Sequence, residues 1–97
     1  MLTYEWTSRF RDDLHKLNSD QLTRFRAAVA AFVADLRAQT AFRAGLRVKG
    51  VRGARGVYEM TWAPDGRVTF SYGDERRPGE AHIIWRRVGG HDIFGQP

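Results

Sequence analysis

The sequence predicts an α+β domain in the order β-α-α-β-β-β-β: an antiparallel sheet of about five strands with an N-terminal helical hairpin packed on one face. Apolar residues recur at helical spacing through the first part of the chain, and at every second position from about residue 46 onward. Turn sequences divide that second part into short runs. With 97 residues, 42% of them hydrophobic, the whole chain, residues 1–97, is predicted to form a single domain with its own core.

The first strand and the first helix are predicted from two different periods. Residues 2–7 alternate apolar and polar side chains, as in a half-buried strand. Ser8 is placed to cap the helix that follows. In that helix Phe10, Leu14 and Leu17 lie on one face. These residues predict a strand followed by about two turns of amphipathic helix.

The second helix is the strongest element in the sequence and is predicted over residues 20–39. Asn18 is followed three residues later by Gln21, the spacing of a capping box. Its apolar residues recur at helical spacing and are interpreted as core: Leu22, Phe25, Val29, Phe32, Val33 and Leu36.

Four strands are predicted after residue 46. The first has Leu46 and Val48 alternating with Arg47 and Lys49, which places the two cations on one face. The remaining alternating runs cover residues 58–62, 67–72 and 81–88. The sequence Ala-Pro-Asp-Gly at 63–66 is typical of a tight turn, and residues 73–79 predict a longer polar hairpin loop.

The positive charge is concentrated in the second part of the chain. The net charge is +5, and no Asp or Glu occurs between Leu36 and Tyr58. That stretch carries six cations, most of them arginine: Arg37, Arg43, Arg47, Lys49, Arg52 and Arg55. Arginine pairs bidentately with phosphate and carboxylate groups. The segregated charge therefore indicates either a nucleic acid or an acidic protein partner, and does not distinguish them.

The segment from His82 to Phe94 brings cations and an imidazole to one edge of the predicted sheet. An apolar strand leads into Arg86 and Arg87, two glycines, and then His91 and Asp92. Cutting RNA requires a base for the 2′-OH proton, cations for the charge on phosphorus, and an acid for the leaving oxygen. His91 is the candidate proton-transfer group, and Asp92 a weak candidate for orienting it, since neighbouring strand residues point to opposite faces.

Arg67 is the candidate for binding phosphate, because it is expected on the open face of the sheet together with Arg47 and Lys49. The other two histidines, His15 and His82, are interpreted as surface residues of a helix and a strand.

Several classes of protein are not expected. The chain has no cysteine, its histidines are scattered, and it has no long apolar run, so we expect no metal site, no cofactor and no membrane span. The N-terminus does not have the pattern of a signal peptide, so a cytoplasmic location is expected.

Over nearly its whole length the chain resembles the RelE/ParE superfamily of toxins from bacterial type II toxin–antitoxin pairs. The resemblance rests on the order of elements, a basic strand (Leu-Arg-Val-Lys-Gly-Val), a Gly-Arg-Val-Thr-Phe-Ser-Tyr strand and the ending Gly-Gly-His-Asp-Ile-Phe. It implies that Arg67 contacts the scissile phosphate, that Lys49 stands where the RelE branch supplies lysines, and that His91 occupies the basic position of the family's ending. Phe94 stands at that ending's terminal tyrosine and has no hydroxyl.

The resemblance implies a ribosome-dependent mRNA endoribonuclease that cuts by metal-free transesterification. Arg67, His91 and Lys49 would be catalytic. Four arginines would bind the RNA backbone: Arg47, Arg52, Arg86 and Arg87. The partners implied are mRNA, the ribosome and a cognate antitoxin, which would form a hetero-oligomer with the toxin. Two alternatives remain open, a ParE-like inhibitor of DNA gyrase without nuclease activity and a non-toxic basic binding module.

The acid-free basic stretch predicts that the protein binds RNA electrostatically. Counterion release makes the logarithm of affinity fall with the logarithm of salt concentration, with a slope of about −0.7 for each phosphate contacted on a single strand. Fluorescence anisotropy with a single-stranded oligonucleotide over a salt series measures that slope. Binding that does not depend on salt, or no binding at low salt, would count against an RNA-binding face.

Overall fold

The computed structural model describes residues 2–97, which form a five-stranded sheet and two α-helices. The strands are β1 (Thr3–Trp6), β2 (Lys49–Gly50), β3 (Tyr58–Thr61), β4 (Arg67–Gly73) and β5 (His82–Gly89). The helices are α1 (Ser8–His15) and α2 (Ser19–Ala38), and two short 3-10 helices cover Ala44–Leu46 and His91–Gly95. The sheet order is β1-β5-β4-β3-β2. The predicted fold class and element order are confirmed.

One strand departs from the predicted antiparallel arrangement. β1 runs parallel to β5, with Trp6 opposite Trp85, while all the other neighbouring pairs are antiparallel. The strand β5 therefore lies inside the sheet, between the first strand of the chain and β4. The sheet is mixed, and it joins the two ends of the sequence.

The helix starts follow capping chemistry, with one correction. Thr7, not Ser8, caps α1: its hydroxyl accepts a hydrogen bond from Phe10 N, at 3.1 Å. The capping box at the start of α2 is confirmed, since Asn18 and Gln21 exchange side-chain to backbone bonds of 2.9 and 2.8 Å. The capping box lies at the turn between the two helices.

The core lies between α2 and the sheet and is largely aromatic. Phe32 is fully buried, with its ring centroid 5.0 Å from that of Phe70 and 5.6 Å from that of Trp85. Phe10 of α1 packs against Phe25 and Trp85 at ring-centroid distances of 6.1 and 6.2 Å. Edge-to-face and offset contacts of this kind add to the free energy gained from burying the rings.

A β-bulge determines which way the side chains point in the second half of β5. Trp85 pairs with Phe70 and Arg87 pairs with Thr69, so Arg86 has no partner on β4. The extra residue shifts the alternation of side chains along the strand. As a result Trp85 and Val88 both lie in the core, three positions apart, and Arg87 does not.

The predicted strand beginning at Leu46 is largely wrong. Leu46 ends a 3-10 helix, and Arg47 has a left-handed backbone with φ of 52°. Only Lys49–Gly50 pairs with β3. Leu46 is buried in the core, and the turn needed to bring it there breaks the alternation. Arg47 and Lys49 therefore do not share one face of a strand.

Asp13 of α1 accepts hydrogen bonds from β5 at the part of its edge that β1 does not cover. Its carboxylate accepts bonds from Arg87 Nε at 2.6 Å and Arg87 Nη2 at 3.2 Å, and a third from Val88 N at 3.2 Å. Asp13 is buried and the Arg87 side chain is 16% exposed. A bidentate pair at this depth holds α1 against the strand that leads to the C-terminal segment.

We expect Asp13→Ala to lower the free energy of unfolding by about 2–4 kcal/mol, because it leaves a largely buried guanidinium and a backbone N–H without their acceptor. Urea unfolding followed by tryptophan fluorescence measures the change. Asp12→Ala is the matched control, since Asp12 lies on the exposed side of the same helix. Equal stability of the two variants would show that the pair does not hold α1 in place.

Candidate active site at the end of the sheet

The turn between β3 and β4 presents Asp65 at the end of the sheet. The predicted Ala63–Gly66 turn is confirmed by bonds from Gly66 N to Ala63 O, at 2.9 Å, and from Trp62 N to Gly66 O, at 3.1 Å. Residue 66 must be glycine, because a Cβ there would lie 2.6 Å from the Trp62 ring. The turn therefore folds tightly over Trp62, and the Asp65 side chain is left exposed.

The end of β5 approaches this turn closely. Gly89 pairs with Arg67, the first residue of β4. A Cβ on Gly90 would lie 2.7 Å from Asp65 Oδ2, so a side chain at that position would displace the Asp65 carboxylate. The 3-10 helix His91–Gly95 follows, and its buried Ile93 anchors it over Gly89. His91 is thus held beside the β3–β4 turn.

His91 and Asp65 form the central contact of the site. His91 Nδ1 and Asp65 Oδ1 are 2.6 Å apart, and both side chains are exposed. The hydrogen bond from His91 lowers the pKa of the Asp65 carboxyl below its ordinary value of 3.8, and the charge of Arg67 acts in the same direction. The ring of Phe94 lies edge-on to the imidazole, with centroids 6.0 Å apart. The carboxylate that orients His91 is therefore Asp65, not Asp92.

Arg67 also belongs to this site. Its Nη1 donates to the carbonyl oxygens of Ala63, Pro64 and Gly66, at 3.3, 3.3 and 2.9 Å. Nε and Nη2 of this guanidinium donate no hydrogen bond to any of residues 2–97. One end of the guanidinium thus stabilises the turn that carries Asp65, and the other end is free to bind an anion.

The basic residues of the middle segment lie at different distances from Arg67. Arg47 is exposed and lines the same surface depression as Arg67. Lys49 is on β2, where it pairs with Glu59 of β3. Because β2 is two strands from β4, Lys49 is about 10 Å from β4 across the sheet. Arg52 is exposed in the loop between β2 and β3. The structure brings Arg47 towards Arg67 and leaves Lys49 and Arg52 at the far edge.

Arg86 and Arg87 are both bonded within the fold. Arg87 pairs with Asp13 and also donates from Nη1 to Gln96 O, at 2.9 Å. Arg86 Nε donates to Pro97 O, at 3.2 Å. These bonds tie the last residues of the chain back onto β5. Any role of either arginine in RNA binding remains a prediction.

His82 is not the surface residue that the sequence predicts. It is buried, with Nδ1 at 2.7 Å from the Thr3 hydroxyl and Nε2 at 3.1 Å from Glu5 Oε1. Both ring nitrogens are therefore engaged in holding β1 against β5. His15 is exposed on α1, as predicted.

Residues 2–97 contain no group of three or more His, Cys, Asp or Glu side chains arranged to hold a metal ion. No helix in the same range is long and apolar enough to cross a membrane.

No protein-family model matches the sequence, and no curated protein matches it significantly. Solved structures do match. The chain is similar to YafQ from E. coli strain BL21(DE3), with 13% identity, a TM-score of 0.66, and 96% of this chain and 97% of that chain covered. It is similar to the YoeB/ParE toxin from Agrobacterium tumefaciens, with 12% identity, a TM-score of 0.66, and 93% and 99% covered.

A third match is to the RelB–RelE antitoxin–toxin complex from Methanococcus jannaschii, with 15% identity, a TM-score of 0.62, and 98% of this chain and 95% of that chain covered. These similarities extend over nearly the full length of each chain. The chain therefore has the fold of the RelE/ParE toxins, as the sequence resemblance predicted.

The His91–Asp65 bond predicts a specific titration of Asp65. Because the bond depresses its pKa, its contribution to stability is present above pH 3.8 and is lost as the pH falls through the lower, folded-state pKa. In His91→Ala the titration midpoint of Asp65, followed by carboxyl NMR, is expected to rise towards its ordinary value.

Asp35 is the internal control for this titration. Its pKa is lowered to about 2 by hydrogen bonds from Arg43, so its midpoint should not move in the same variant. An unchanged Asp65 midpoint would show that His91 is not its hydrogen-bond partner in solution.

Proposed function

We propose that the protein is the toxin of a type II toxin–antitoxin pair and acts as an endoribonuclease on mRNA. The observation that carries the proposal is the contact between His91 and Asp65 beside the free edge of the Arg67 guanidinium. An imidazole fixed by a carboxylate next to an arginine is the set of groups that phosphodiester transesterification needs. The shared fold with RelE, YafQ and YoeB/ParE toxins supports the same class.

The geometry supports a catalytic step for each group. With its proton on Nδ1, His91 donates to Asp65 and keeps a lone pair on Nε2. Nε2 removes the 2′-OH proton, and the 2′ oxygen attacks the adjacent phosphorus. The bond from phosphorus to the 5′ oxygen breaks, leaving a 2′,3′-cyclic phosphate. The 5′ oxygen takes its proton from solvent or from protonated His91.

Arg67 supplies the positive charge. Its Nε and Nη2 take no part in the bonds to the turn carbonyls and would stabilise the extra negative charge on phosphorus. Lys49, about 10 Å away across the sheet, would neutralise a neighbouring phosphate together with Arg47 and Arg52. We do not extend this role to Arg87, because Asp13 already neutralises its charge.

We further propose that a cognate antitoxin neutralises the toxin. The similar structures include complexes of a toxin with its antitoxin, DinJ–YafQ from E. coli and RelB–RelE from Methanococcus jannaschii. A partner with Asp- or Glu-rich segments would match the net charge of +5. Co-expression with the adjacent reading frame should abolish growth arrest.

His91→Gln and Asp65→Asn are the variants that test the nuclease. Loss of a proton-transfer group typically costs ~10²–10⁴ in rate. We expect His91→Gln to lose cleavage of mRNA in a translating extract to that extent, and Asp65→Asn to lose a smaller factor, because it leaves the imidazole in place without its orienting carboxylate. Phe94→Tyr should cleave mRNA at a rate equal to or above that of the unmodified protein, since it adds a hydroxyl beside His91.

His15→Gln is the matched control, because this exposed histidine of α1 is not part of the site. Thermal melting checks that each variant is folded. If His91→Gln is folded and still cuts mRNA, the assignment is wrong. If the protein instead blocks DNA supercoiling by gyrase and leaves mRNA intact, the ParE-like alternative replaces it.

A further inference from the structure

A depression of about 590 Å³ lies between α2, the 3-10 helix Ala44–Leu46 and the β3–β4 turn. Three arginines from separate segments line it: Arg24 of α2, Arg47 after the 3-10 helix, and Arg67 at the start of β4. Trp62, Ala63 and Pro64 form its other wall. The apolar stripe of α2 predicts only core packing, and no sequence pattern singles out Arg24.

The polar groups lining this depression are mostly hydrogen-bond donors. None of the described residues that line it is an Asp or a Glu. The carbonyl oxygens of Ala63 and Pro64 already accept bonds from Arg67. The indole Nε1 of Trp62, a donor only, is buried and has no partner within residues 2–97. An acceptor-rich, negatively charged ligand is the kind that this surface fits.

Arg24 is available to such a ligand. Its ion pair is with Asp20, one turn earlier on the same helix, with Nε and Oδ2 3.3 Å apart and side-chain exposures of 56% and 77%. Exposed pairs of this type stabilise by little and exchange readily with another anion. A phosphate entering the depression can therefore replace Asp20 as the partner of Arg24.

We propose that this depression holds a second phosphate of the RNA substrate, so that the strand passes from His91 over the β3–β4 turn towards α2. The proposal rests on the proposed function. RNA is favoured over an acidic protein segment because Arg67 belongs to both places: it lies beside the His91–Asp65 contact and also lines the depression. Arg67 thus connects the two places, and one continuous RNA strand would pass both.

The test compares Arg24→Gln with Arg26→Gln, which removes the same charge from the same helix two residues away. Arg26 is equally exposed but does not line the depression. The probe is a short single-stranded RNA with 2′-O-methyl riboses, which cannot be cut. Its affinity is measured over a salt series. Arg24→Gln should weaken binding several-fold and reduce the magnitude of the log–log slope by about 0.7, the value for one phosphate contact. Arg26→Gln should change the slope little.

Two results would overturn the proposal. Equal losses of RNA affinity and of salt slope in both variants would mean that the positive charges act as a diffuse electrostatic field, with no defined phosphate subsite. An unchanged RNA slope in Arg24→Gln, combined with lost binding of a polyglutamate peptide, would assign the depression to a protein partner. Because the probe is not cut, the outcome is independent of catalysis. Suppose that His91→Gln still cleaves mRNA while Arg24→Gln shows the reduced salt slope for RNA binding. The catalytic assignment of His91 is then wrong, and the phosphate subsite is supported.

Discussion

The bulge in β5 is the constraint on which the rest of the structure depends. An unbulged strand would carry Arg87 into the core at the position that follows Trp85 in the alternation, and Val88 would face outward. Burying an unpaired guanidinium costs far more than a valine side chain gains. The single extra residue, Arg86, resolves this conflict. It places Val88 in the core, turns Arg87 towards Asp13, and sets the orientation in which Gly89 and Gly90 reach the β3–β4 turn.

The distribution of ion pairs explains why the surface charge is uneven. Three of the four acids in the two helices pair with arginines: Asp13 with Arg87, Asp35 with Arg43, and Asp20 with Arg24. No salt bridge found within residues 2–97 involves the basic residues between Leu46 and Val57: Arg47, Lys49, Arg52 and Arg55. Four cations without a salt bridge thus lie together in one segment, close in sequence to the strands that carry the candidate site.

Local patterns predicted the elements well, and long-range packing decided what they missed. The capping box at Asn18 and the Ala63–Gly66 turn depend on neighbouring residues, so the sequence is sufficient for them. The left-handed backbone of Arg47 and the burial of His82 depend on what the tertiary structure places against them. No single-sequence pattern carries that information.

The partner of His91 was within reach of the sequence. Strands β4 and β5 are joined by a hairpin loop, so the residues just before β4 must lie beside those just after β5. That rule alone brings Asp65 close to His91, although 26 positions separate them. Asp92 is a candidate from the sequence because it is adjacent to His91 in the chain. In the sheet, however, Asp65 on the facing side of the hairpin is the carboxylate that contacts His91.

The parallel pairing of β1 with β5 has a consequence for how the protein is made. Thr3 and His82 are hydrogen-bonded neighbours separated by 79 positions, and β5 occupies the interior of the sheet. Neither β1 nor β4 can complete its pairing until β5 has been synthesised, and contacts of such long sequence separation form late. Until then the nascent chain lacks an interior strand of its sheet. The His91–Asp65 contact can form only after the ribosome has synthesised β5 and the short helix that follows it.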